Sequence, residues 1–198
     1  MSIGSRAKTV LGRGKFVELL DVNGWEFVHR FASAGVVVIV ATTEDGALVM
    51  VEQLRAPIGR RSIELPAGLV GDISGQEHES FALAAARELE EETGYRAARW
   101  SVLLDAPSSP GLSTEVVSFF RATGLERVGP GGGDETEDIV VHVISLPDVP
   151  AFLAQKMAEG VAIDPKVFAG LYFLDGAWPP GPSRTSSVAS SVADRGAE

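Results

Sequence analysis

The sequence predicts an α/β sandwich with a central mixed sheet, preceded by an antiparallel β-hairpin region. A continuous β-branched run from Ala34 to Thr42 has the composition of a strand buried on both faces. Segments alternating apolar and polar residues are interleaved with two or three stretches of helical spacing, the pattern of layered α/β folds. Hydrophobic residues make up 45% of the 198 positions, enough to bury one core.

Taken in order, residues 8–31 alternate apolar and polar positions around Asn23-Gly24, a dipeptide that favours a tight hairpin turn. The run at 34–42 is followed, after the turn Glu44-Asp45-Gly46, by a strand at 46–55. Residues 64–75 read as a glycine-rich loop, and a helix follows from about 77 to 93. Ser74 and Glu77 have the spacing of a capping box, and Gly94 suits the left-handed residue that ends a helix. Strands are expected at 100–106 and 115–123, a flexible loop at 129–138, a strand at 139–146, and helices at 148–160 and 164–174. Beyond them the chain is Pro, Gly, Ser and Ala with little apolar mass, so 176–198 are expected to be a disordered tail.

Seventeen Lys and Arg against 27 Asp and Glu give a net charge of −10, which argues against nucleic acid or an anionic membrane as partner. A phosphate-bearing small molecule would need local cations or bound metal. The chain has no cysteine, which excludes disulfides and thiolate metal sites. No segment approaches the roughly 18 consecutive apolar residues of a spanning helix, and a soluble cytoplasmic protein is expected.

Four of the five residues after Arg87 are glutamate. At about 100° per residue, Glu88, Glu91 and Glu92 share one face of a helix, while Glu90 points away. Bare like charges at this spacing cost a helix a few tenths of a kcal/mol per pair; a divalent cation reverses that sign. Mg²⁺ or Mn²⁺ prefers such hard oxygen ligands. Arg87, four residues before Glu91, can fix one carboxylate. The plain alternative is a solvated acidic face.

The stretch Arg87 to Tyr95, R-E-L-E-E-E-T-G-Y, preceded by E-L-P-A-G at 64–68 and Glu79, resembles the Nudix box, the metal-binding strand-loop-helix motif of hydrolases acting on nucleoside diphosphate derivatives. The pattern departs once: ten residues separate Gly68 from Glu79 where the box has five, so the loop before the helix is lengthened. The resemblance implies a Nudix-type α/β/α sandwich at 33–175, with 1–32 as a separate N-terminal β region. It also implies Glu88 and Glu92 as principal Mg²⁺ ligands, Glu91 as a further ligand or structural partner, the Ala67 carbonyl as another oxygen donor, and Glu79 as a support for the helix through Arg87.

Outside the box, residues 24–30, 51–68, 109–113 and 134–146 resemble the corresponding segments of ADP-ribose pyrophosphatases, a likeness running from about 15 to 174. It implies hydrolysis of ADP-ribose to AMP and ribose 5-phosphate. Trp25 would stack on adenine and Glu26 accept from its amino group; Arg30 and Arg55 would hold the diphosphate and Leu112 touch the terminal ribose. Glu135 would be the catalytic base, with Glu137 its rival. Arg60 and Arg61 read as solubilising. His29, His78 and His142 converge on no motif, so a histidine metal site is not expected. Nor does Ser108, Ser109 or Ser113 have a base at recognisable spacing. Enzymes of this kind are homodimers with exchanged N-terminal strands, which would place Trp25 and Glu26 against a partner's site. The alternatives are a hydrolase of GDP-mannose or ADP-glucose, or a Nudix-like module that senses nucleotide without cleaving it.

Overall fold

The computed structural model describes residues 8–31, 33–73, 75, 77–133 and 137–175. Strand β4 (Gly35–Ala41) lies at its centre. Val37, Ile39 and Ala41 pack into one apolar cluster, and Val38 and Val40 into another. Alternate residues of a strand point to opposite faces, so burial on both sides accounts for the unbroken apolar run.

Around β4 the order is β7-β4-β9-β8, with β7 (Ala67–Val70) antiparallel to β4, β9 (Val116–Arg127) parallel to it, and β8 (Tyr95–Pro107) antiparallel to β9. A second sheet has the order β10-β5-β6-β11: β5 (Ala47–Arg55), β6 (Arg60–Glu64), β10 (Val140–Ser145) and the short β11 (Ala162–Ile163), which runs parallel to β6. The mixed sheet of the sandwich is thus two four-stranded mixed layers. Helix α1 (Phe81–Thr93) contributes Ala84, Ala85 and Leu89 to the cluster around Ile39. Helices α2 (Val149–Ala158) and α3 (Pro165–Leu174) contribute Val149, Leu153, Val167 and Phe173 to the cluster around Val38. A fully buried side chain such as Leu89 contributes about 1.5–3 kcal/mol.

The N-terminal hairpin turns at Asn23 and Gly24, both with positive φ (57° and 81°), between β2 (Val17–Val22) and β3 (Trp25–Arg30). A third strand, β1 (Thr9–Arg13), pairs antiparallel with β2. Its residues are exposed throughout, so no buried face marks it in the sequence. Backbone bonds tie β3 to the loop after β8: Val28 N donates to Leu112 O (2.8 Å), and Thr114 N donates to Val28 O (3.1 Å).

Four local expectations change. Helix α1 begins at Phe81 rather than 77, because Ser80 caps it by accepting from Leu83 N at 3.3 Å. Ser74 lies outside the described residues, and Glu77 accepts from Gly75 N instead (3.0 Å). Within the stretch read as a glycine-rich loop, Ala67–Val70 is a strand paired to β4, since a backbone with few side chains still completes a ladder. The glycines at 131–133 are tethered: Gly132 N donates to Glu92 O (2.8 Å) and Gly133 N to Glu91 O (3.1 Å), satisfying carbonyls that the end of α1 leaves open. At the helix end itself a Cβ on Gly94 would lie 2.2 Å from Gly129 O, so this crossing requires glycine as well as the left-handed turn. The tail at 176–198 lies outside the described residues. Among the described residues no helix is long and apolar enough to cross a membrane.

Candidate active site

A cleft of about 730 Å³ opens between β7, α1, the β5–β6 hairpin and the start of α3. Glu88 and Glu92 reach it from α1, beside Ala67 and Gly68 of β7. A cap and a left-handed stop fix the register of α1, and Leu89 anchors its inner face, so positions 88 and 92 must look toward β7. A Cβ on Gly68 would fall 1.9 Å from the Glu88 carboxyl carbon, so a side chain here would have to push that carboxylate out of its present place. Glu92, 2% exposed, accepts from Ala67 N at 3.1 Å.

Burial pushes the Glu88 carboxyl up to about 7 against the pull of Arg87. Burial also holds Glu92 well above the ordinary carboxylate range, more than offsetting the Ala67 amide, and the charges of Glu88 and Glu137 push it the same way. Arg87 is the hub of the entry to α1. It donates to Glu88 Oε1 (2.7 Å), Glu91 Oε2 (3.1 Å), Leu69 O (3.1 Å) and both oxygens of Glu79 (3.3 and 3.2 Å). Glu79 therefore grips Arg87 despite the lengthened loop before it.

The structure brings Glu88, Glu92, Ala67, Arg30 and Arg55 to the cleft, and Glu137 with them. Glu91 is half-exposed and lies outside the lining, bonded to Arg87. Glu135 lies outside the described residues. Trp25 and Leu112 are 65% and 61% exposed; neither they nor Glu26 line the cleft of this chain. Arg55 is bound by the buried Glu64 through two bonds, Nε to Oε1 (2.8 Å) and Nη2 to Oε2 (2.6 Å). Arg30 Nε is buried, has no hydrogen-bond partner among the described residues and sits 3.6 Å from Glu115.

Two arginines read as solubilising have other places. Arg60 lines the cleft, and Arg61 is engaged by Glu52 and Asp138. Sequence reasoning also passes over Gln53, Glu64, Asp72 and Lys166, which line the cleft. The alternation of β5 and β6 is the available signal: Gln53, Arg55, Arg60, Ser62 and Glu64 recur at period two.

Among the described residues, no three His, Cys, Asp or Glu side chains form a group able to hold a metal ion. The donor chemistry nevertheless fits one. Two desolvated carboxylates oppose each other's ionisation, and the guanidinium bonded to Glu88 is already shared with Glu79 and Glu91.

Comparison with known proteins identifies the family and the fold. The chain is 39% identical over 147 residues to an ADP-ribose pyrophosphatase of Mycobacterium tuberculosis, a match covering 74% of this chain and 66% of that protein. It is 38% identical over 142 residues to an ADP-ribose pyrophosphatase of Bacillus subtilis, covering 71% of each. The chain thus spans just under two thirds of the first of these relatives. A crystal structure of an ADP compounds hydrolase superposes with a TM-score of 0.63 at 20% identity, over 86% of this chain and 90% of the other, and shows the same fold. Residues 32–162 match the NUDIX domain, and with the carboxylate helix, its arginine hub and the cleft in place, the chain belongs to that family.

Proposed function

We propose that this protein hydrolyses the pyrophosphate bond of ADP-ribose or a related nucleoside diphosphate sugar, with Mg²⁺ or Mn²⁺ held at Glu88 and Glu92. The observation that carries this reading is that one cleft gathers the acidic Glu88, Glu92 and Asp72 with the cationic Arg30, Arg55, Arg60 and Lys166. A diphosphate needs both: cations for its outer oxygens and an ion-binding carboxylate pair beside the bond to be broken. The two relatives named above support ADP-ribose in particular.

A divalent ion, when bound, supplies Lewis acidity and makes a coordinated water more acidic. The chain's own residues do the rest. Glu88 and Glu92 hold the ion, Ala67 offers its carbonyl beside them, and Glu91 steadies Arg87. Arg30, whose Nε lacks a hydrogen bond within the described residues, and Arg55, preset by Glu64, orient the diphosphate. A glutamate of the segment 134–138 supplies the proton acceptor. The resemblance implies Glu135; Glu137, however, lines the cleft and its charge acts on Glu92, which favours Glu137. Water adds to a phosphorus, the bridging P–O bond breaks, and AMP and ribose 5-phosphate leave.

Trp25 and Glu26 belong on this reading to a site completed by a second copy of the chain. Their place outside this chain's cleft supports that, as does the exposed apolar surface of Val10, Leu11 and Leu19 on the same sheet and of Phe16 in its β1–β2 turn. Leu112, beside β3, joins them at the terminal ribose. The test is a Mg²⁺-dependent screen of ADP-ribose, ADP-glucose and GDP-mannose with product identification. AMP and ribose 5-phosphate from ADP-ribose are expected at the highest rate. Binding of all three without cleavage would instead indicate a sensing module.

A further inference from the structure

A second buried carboxylate lies outside the cleft. Glu52 of β5 is 7% exposed and has hydrogen-bond partners from three elements: the cations Arg61 Nε of β6 at 2.9 Å and Lys156 Nζ of α2 at 2.9 Å, and the imidazole His142 Nε2 of β10 at 3.0 Å. Burial alone would push Glu52 up, but the hydrogen bonds from Lys156, His142 and Arg61 outweigh it and hold the carboxyl below its ordinary range.

Arg61 uses the rest of its fork elsewhere. Its Nη2 donates to Glu52 O (3.0 Å) and Asp138 O (3.1 Å), and its Nη1 donates to Asp138 Oδ2 (2.7 Å). One guanidinium thus grips both the side chain and the backbone of Asp138, a planar multi-point hold that lysine cannot reproduce. Asp138 is itself 79% exposed, so its carboxylate contributes little to stability by this contact. The residue before it is Glu137, which lines the cleft. On the other side, Gly132 and Gly133 are bonded to the carbonyls of Glu92 and Glu91.

We propose that Arg61, locked by Glu52 and closed on Asp138, is a positioning residue that sets Glu137 in the cleft as proton acceptor. This rests on the hydrolase reading above. An exposed aspartate held at both its backbone and its side chain by an arginine that is itself pinned to a buried carboxylate fixes the chain direction at Glu137. Reactions of this kind lose rate steeply when a proton acceptor is misplaced by about 1 Å.

The experiment is steady-state hydrolysis of ADP-ribose with Mg²⁺ by the full chain and its Arg61→Lys, Asp138→Asn, Glu137→Gln and Arg61→Lys/Glu137→Gln variants. Glu137→Gln is expected to lower kcat by about 10²-fold or more, the range for loss of one general base. Arg61→Lys and Asp138→Asn are each expected to lower kcat by roughly tenfold, with KM within about twofold, because substrate binding is untouched. The double variant should be no slower than Glu137→Gln alone, since both changes disable one acceptor. Asp138→Asn alters an exposed side chain, so its result does not depend on whether Arg61→Lys folds well. Wild-type kcat in both Arg61→Lys and Asp138→Asn, additive losses in the double variant, or an undiminished Glu137→Gln would each overturn the clamp while leaving the hydrolase reading standing. A wild-type chain that cleaves no nucleoside diphosphate derivative would overturn both.

Discussion

Glu52 on one side of the β5–β6 hairpin and the pair Glu88 and Glu92 on the other are treated in opposite ways. Glu52 has two cations and an imidazole within hydrogen-bond distance, and its carboxyl is held down. Glu88 and Glu92 have one arginine and one backbone amide between them, and their carboxyls are pushed up. Burying a carboxylate is costly unless it is neutralised, so the first group is internally complete while the second leaves charge for something else to balance. Surplus negative charge beside a cleft that also holds arginines is what a metal-assisted phosphate site requires; satisfied charge is what a scaffold requires.

The sharpest way to break this contrast is Glu92→Gln. Turnover of ADP-ribose should fall by about 10³-fold or more with the fold retained, since an amide replaces a carboxylate of the same shape. Rates within tenfold of wild type would remove Glu92 from the metal site. The matching change on the other side, Glu52→Gln, should cost about 3 kcal/mol of stability in chemical denaturation, because Lys156, His142 and Arg61 lose their common anion. A variant as stable as wild type would mean that the network is not structural.

A pH series sharpens the comparison. The Glu88 carboxyl is raised in the folded state, so its favourable contribution is complete below about pH 4.5 and is lost as pH rises through about 7. Metal-free wild type should therefore weaken relative to Glu88→Gln between about pH 5 and 8, by at most about 3 kcal/mol. Saturating Mg²⁺ should reverse the trend. A stability difference that ignores pH would place Glu88 in solvent. The smallest effect is expected for Trp25→Ala: KM for ADP-ribose rises about tenfold with kcat nearly constant, as for loss of one stacking contact. An unchanged KM would reject the stacking role.

Much of the cleft is legible in residue order. Helical periodicity groups Glu88, Glu91 and Glu92 on one face; Glu88 and Glu92 line the cleft, while Glu91 stays outside it on Arg87. Gly94 is the left-handed residue that ends the helix, as its place in the sequence suggests. The start of the helix lies later than the Ser74 and Glu77 spacing suggests: Ser80 caps it, and Phe81 and Ala84 pack into the cluster that includes Val37 and Ile39 of β4. The β7 strand is hidden because its evidence is a partner strand rather than a pattern of its own. Arg60 and Arg61 are adjacent and chemically identical, and strand alternation sends one into the cleft and the other onto Glu52.

Local chemistry, then, was determined by the chain alone: an acidic helical face, a left-handed stop at Gly94, a turn at Asn23-Gly24. These depend on bonds between near neighbours, whose geometry the backbone dictates. Which buried glutamate is neutralised and which is left wanting charge was decided only by the tertiary structure. That depends on hydrogen-bond partners delivered by β6, β10 and α2 from as far as 104 positions away, such as Lys156 onto Glu52, and no local rule encodes that meeting.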